Sequence, residues 1–111
     1  MELLKFLLEA KKQGKGVVAY GAAAKGNTML NFAGIHVDLL PYVVDMNPAK
    51  EGKYMPGSRI PIVSEDRLKE DKPDYVLILP WNLKDEITAQ LSYIQEWEGK
   101  FVTVIPEVVV Q

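Results

Sequence analysis

Residues 17–30 read VVAYGAAAKGNTML: four residues suited to a strand, a run of small residues, then the opening of a helix. Gly21, Ala23 and Gly26 stand where a dinucleotide-binding loop has three glycines. The first turns off the strand, the second lets the backbone approach a pyrophosphate, and the third lets the helix pack on the sheet. Alanine at the middle position adds a methyl group, which permits a close ligand but not the closest. Gly21 and Gly26 are also spaced as in a P-loop, but Asn27 stands where that loop requires lysine, so the P-loop is rejected. The free N–H groups opening the helix offer an anion site worth ~0.3–1 kcal/mol per exposed charge, and Lys25 adds a positive charge on a flexible stem. A doubly wound domain needs small residues at such a corner with or without a ligand; the strand–turn–helix context favours the ligand.

Outward from this corner, strands and helices alternate. Residues 2–12 place Leu3, Leu4, Leu7 and Leu8 on one helical stripe, and Gly14 can end that helix. A helix from about Lys25 to Ala33 is closed by Gly34, with Met29 and Phe32 facing the sheet as core. LLPYVVD at 39–45 is the next strand, with Pro41 near its start. MNPAKEGKYMPGSR is the longest irregular stretch. Ile60–Val63 is a third strand, and Ser64 caps a brief helix to about Lys69. Tyr75–Leu79 is a buried strand. Asn82 caps a long helix with Leu83, Ile87, Leu91, Ile94 and Trp97 as its apolar stripe, and Gly99 closes it. Phe101–Ile105 is the last clear strand, stopped by Pro106; the tail Val108–Val110 is either an edge strand or an exposed apolar patch.

Five such alternations with apolar strands predict an α/β domain. Its sheet is doubly wound and parallel, about five strands in order 3-2-1-4-5, with helices on both faces. Ligands in such sheets bind beyond the carboxyl ends of the strands, where strand order reverses. That point brings GAAAKGN at 21–27 opposite Pro80-Trp81-Asn82.

The remaining candidates follow from this placement. Asp45 ends the second strand nineteen residues beyond Gly26, the position of an acidic residue that bonds a ribose hydroxyl; Asp45-Met46-Asn47-Pro48 is equally a good local turn. Trp81 offers a flat surface for stacking on a base or packing on another domain. Asn82 reads first as a cap and second as a ligand contact. Lys50, Lys53, Tyr54 and Arg59 form a loop that is read as solvated unless it folds across the switch point. His36, the only histidine, reads as a surface turn residue, and no catalytic constellation assembles.

Composition bounds the rest. The chain has 111 residues, 48% hydrophobic and 25% charged, which is one globular domain. Its formal charge of −2 gives no global field for nucleic acid or an anionic membrane. No cysteine is present, so disulfides and thiolate-bound zinc are excluded. No apolar run spans a bilayer, and the leading segment reads as a helix rather than a targeting sequence. A cytoplasmic location is expected.

Three blocks, YGAAAKGNTMLNFAGI (20–35), YVVDMNPAKEGKYMPGSRIPI (42–62) and YVLILPWNLKDEI (75–87), resemble the C-terminal domain of S-adenosylmethionine-dependent C-methyltransferases acting on nucleotide-linked deoxysugars. The resemblance covers nearly the whole chain. It implies that residues 1–111 are one Rossmann-like C-terminal domain. In the whole enzyme this domain would enclose a nucleotide-sugar substrate against a central methyltransferase domain that holds the methyl donor. The zinc-binding cysteines and the central domain of such enzymes are absent from this chain. Carried onto matching positions, the resemblance implies a phosphate-facing turn at Gly21, Ala22, Ala23, Lys25, Gly26 and Asn27 and an opposite lip at Trp81 and Asn82. Two other functions stay open. One is a freestanding module binding NAD or coenzyme A through Gly21, Ala23, Gly26 and Asp45. The other is a vestigial nucleotide fold that serves only as a packing scaffold.

Overall fold

The computed structural model describes residues 2–22, 24–103 and 109–110. Two four-residue strands form the middle of the sheet: β1 (Val17–Tyr20) and β4 (Tyr75–Ile78), paired in parallel from Val17–Tyr75 to Tyr20–Ile78. On one side β2 (Val43–Val44) and β3 (Ile62–Val63) follow, and on the other β5 (Lys100–Thr103). These five strands are all parallel in the expected order 3-2-1-4-5. A sixth, β6 (Val109–Val110), runs antiparallel to β5 at the outer edge, so the valine tail is an edge strand there.

The alternation of side chains along β1 builds two cores. Val17 and Ala19 face α1 (Glu2–Lys12) and α2 (Ala24–Phe32), packing with Leu3, Leu7 and Leu30. Val18 and Tyr20 face the other side, where Leu68 of α3 (Asp66–Asp71) and Ile87 of α4 (Lys84–Gln90) cover them together with Leu91 and Ile94. Helices therefore lie on both faces, and a strand buried on both sides reads as an unbroken apolar run. No helix of the described residues is long and apolar enough to cross a membrane.

Several local expectations are corrected. The run at 39–45 contributes only two strand residues, because the Leu39 and Leu40 amides donate to the His36 carbonyl in a turn. The Ile60 amide meets Ser58 Oγ, leaving β3 equally short. Phe32 is 84% exposed, because the buried face of α2 runs through Gly26 and Leu30, and Phe32 lies two residues round from it. Leu8 likewise points outward, whereas Ala10 is buried. The Ser64 hydroxyl makes no cap; its carbonyl accepts the Arg67 amide instead. Asn82 does not cap α4: a 3-10 turn, Trp81–Leu83, leads into the helix without a side-chain cap. The long helix is in fact α4 followed by a 3-10 segment, Ser92–Trp97. Ile105, Pro106 and Val108 lie outside the described residues.

Candidate functional site

The carboxyl ends of β1, β2 and β4 meet at one crevice. Gly21 leaves β1 with φ +95°, a backbone conformation that suits glycine, and its amide donates to the Val44 carbonyl at 2.8 Å. A β-carbon there would run into the Pro80 ring, with Cγ 2.7 Å away. One on Gly26 would lie 2.7 Å from Leu79 Cβ. Both glycines are therefore demanded by the segment that follows β4, and the two loops interlock through bare backbone.

Asp45, at the end of β2, fastens the corner from the other side. Its Oδ2 accepts the Ala22 amide at 2.8 Å, and its Oδ1 accepts the Asn47 amide at 2.8 Å. The Asn47 side chain starts a turn by accepting the Ala49 amide, and this turn carries the chain back over the crevice. Lys50 then donates from Nζ to the Ala22 carbonyl at 3.0 Å. Ala22 is thus held at its N–H by a carboxylate and at its C=O by an ammonium.

In front of Ala22 lies a cavity of about 320 Å³ whose wall includes Tyr20, Asp45, Met46, Lys50, Leu83 and Gln90. Gln90 Nε2 reaches Tyr20 Oη at 3.0 Å and Glu65 Oε1 at 2.8 Å, tying α4 to β1 and to the start of α3. Burial raises the Tyr20 phenol above its ordinary pKa; the Gln90 hydrogen bond opposes this, and the carboxylates of Glu65 and Asp45 add to it. A smaller concavity of about 260 Å³ continues past Asp45 and Met46 to Glu51, Ser64, Glu65 and Asp66. A larger hollow, about 620 Å³, lies at the other end of the sheet among Lys15, Asp74, Trp97 and Lys100. That is the amino-terminal end of the strands, away from the strand-order reversal, so geometry favours the smaller cavity. Among the described residues no cluster of His, Asp or Glu can hold a metal ion.

Of the residues singled out in the sequence, Gly21, Ala22 and Asp45 come together at the cavity. Gly26 is buried behind it, and Asn27 Oδ1 is buried with no hydrogen-bond partner among the described residues. Ala23 and the Lys25 side chain lie outside what is described. Pro80 and Leu83 line the cavity, whereas Trp81 and Asn82 between them do not; Trp81 is 44% exposed. The sequence reading missed Tyr20, Met46, Glu86 and Gln90 and took Lys50 as solvated. Leu83, Glu86 and Gln90 recur at helical spacing, which is the signal that one face of this segment looks into the crevice.

Residues 1–106 match the family described as the C-methyltransferase C-terminal domain. The C-methyltransferase NovU of Streptomyces niveus is 39% identical over 94 residues, covering 85% of this chain and 22% of that protein. The chain thus spans about a fifth of that relative's length. The crystal structure of UDP-D-quinovosamine 4-dehydrogenase from Vibrio fischeri shares the fold with a TM-score of 0.59, over 81% of this chain and 77% of that one, at 18% identity.

Proposed function

The chain belongs to the family of C-methyltransferase C-terminal domains, and on that premise we propose that residues 1–111 form the substrate-binding lid of a longer S-adenosylmethionine-dependent enzyme. The substrate is a nucleotide-linked deoxysugar, and the crevice in front of Ala22 encloses it against the methyltransferase domain. The observation that carries this reading is the family match across residues 1–106. Its geometric support is a cavity at the carboxyl ends of the strands, with the exposed Met46 and Leu83 on its wall and the exposed Trp81 beside it, an apolar rim suited to being covered. A nucleotide-linked substrate accords with the cytoplasmic location expected from the sequence.

The methyl donor itself fits poorly here. Both Asp45 oxygens already accept backbone amides, so the carboxylate is not poised for a ribose diol, and the Pro80 ring fills the space beside Gly21. The donor is assigned to the remainder of the enzyme, and this chain alone is expected to transfer no methyl group, since a positioned donor and base are required. The same engaged carboxylate weighs against a freestanding dinucleotide module.

A second reading, a scaffold that only packs on its neighbours, draws on the exposure of Trp81, Leu83 and Met46. Titration of the chain with a thymidine-diphosphate-linked 6-deoxyhexose, followed by amide chemical shifts, separates the two. Substrate binding moves Gly21, Ala22, Met46 and Gln90. If these stay still at millimolar ligand while the fold is intact, the lid loses its substrate role and the scaffold reading stands.

A further inference from the structure

The crevice has a sign. Asp45 and Glu86 line the cavity in front of Ala22, and Glu51, Glu65 and Asp66 line the concavity that continues from it. Among the described lining side chains, Lys50 is the one cation, and one of its three N–H groups is given to the Ala22 carbonyl. Of the loop amides that would cradle a phosphate, Gly21 N–H is taken by Val44 and Ala22 N–H by Asp45. Burial is the chief cause that raises the Tyr20 phenol, and the carboxylates of Glu65 and Asp45 add to it in the sense of the same negative field.

A diphosphate entering this space meets an excess of carboxylates over its one cation, and an unpaired anion is costly to desolvate. An uncharged deoxysugar ring meets the opposite situation. Its hydroxyls donate to the Glu86 carboxylate and accept from the N–H groups that Lys50 has left, while its deoxygenated face packs on Met46, Leu83 and Pro80. At about 320 Å³ the cavity is at the small end of the range for ligand sites. We therefore propose that the crevice sorts the two halves of its ligand by charge: the neutral deoxysugar ring enters between Met46, Lys50, Leu83 and Gln90, and the diphosphate stays outside. This rests on the nucleotide-sugar reading above and specifies which end of the substrate the domain grips.

The experiment compares two probes on the 111-residue chain: thymidine diphosphate alone, and the same diphosphate carrying a 6-deoxyhexose. The linked sugar is expected to move the amides of Met46, Leu83 and Gln90, and thymidine diphosphate at equal concentration to leave them unmoved. Glu86→Gln, at an exposed position on α4, lessens the repulsion and raises affinity for thymidine diphosphate about two- to fivefold, the scale of one screened charge contact. Equal shifts from both probes overturn the inference while the proposed function survives. A linked sugar that moves only amides remote from the cavity overturns both the inference and the proposed function. If neither probe moves any amide, the proposed function falls and takes this inference with it.

Discussion

Asp45 and Ala22 meet across the crevice, with Oδ2 of the one accepting the amide of the other at 2.8 Å, while Lys50 closes on the Ala22 carbonyl at 3.0 Å. A position usually associated with a ribose hydroxyl is here occupied by the protein's own backbone. The loop is thereby locked in place before any ligand arrives.

Removing that lock has a definite cost. Asp45→Ala strands the Ala22 and Asn47 amides and is expected to destabilise the chain by ~1–3 kcal/mol, the range for losing a charged hydrogen-bond partner. Asp45→Asn, which keeps one acceptor oxygen, loses less. The urea midpoint at unchanged slope measures both. Equal stability of Asp45→Ala and the parent would show that the clasp contributes nothing.

Gly26 provides a steric test. Gly26→Ala places a methyl group 2.7 Å from Leu79 Cβ, an atom fixed to the backbone, so α2 must shift away from the sheet at ~1–3 kcal/mol. Gly16→Ala is the control, since its nearest neighbour would be 3.8 Å away. There the change is expected to be neutral or stabilising by up to ~1 kcal/mol. Similar melting temperatures for the two variants contradict the close approach of α2 to Leu79.

Alkaline pH acts through three phenols. Burial raises Tyr20, Tyr42 and Tyr93 above the ordinary 10.0, with Asp71 adding to it at Tyr42 and Glu65 at Tyr93. The folded chain holds these protons more tightly than the unfolded one. Their contribution is therefore complete below pH 10 and is lost as pH rises through the folded values. Tyr42→Phe is expected to flatten the alkaline fall of the urea midpoint; an unchanged slope rules Tyr42 out as a contributor.

The two tryptophans report separately. Trp97 Nε1 donates to the Pro73 carbonyl at 2.9 Å and its ring packs against Tyr93, whereas Trp81 stands on the exposed 3-10 turn. Acrylamide is expected to quench Trp81 strongly and Trp97 weakly, and Trp81→Phe removes most of the quenchable emission. Trp81→Phe changes stability by no more than ~0.5 kcal/mol, while Trp97→Phe loses ~0.5–1.5 kcal/mol with its hydrogen bond. Strong quenching that persists in Trp81→Phe would place Trp97 on the surface instead.

Much of this architecture is legible in the sequence because its signals are local. VVAY and YVLI are unbroken apolar runs that are buried on both faces, and the small residues between Tyr20 and Asn27 mark the corner where strand order reverses. What escaped depends on which of several local hydrogen bonds the backbone forms. The run at 39–45 has the composition of a strand, but the His36 carbonyl claims its first amides. The spacings of three from Leu91 to Ile94 and from Ile94 to Trp97 fit a 3-10 segment as well as an α-helix, so the break after Gln90 leaves no mark. Lys50 became part of the site because Asn47 turns the chain, which composition alone does not reveal.

Among the described residues, the sheet is bounded on one side by the two-residue β3. Beside β3, the chain's own Gly52 and Lys53 already exchange hydrogen bonds with Ile62, and Tyr54 bridges to Pro61. A second copy seeking to add a strand there finds its place taken. Any growth of the sheet beyond β3 would first require this loop to peel away.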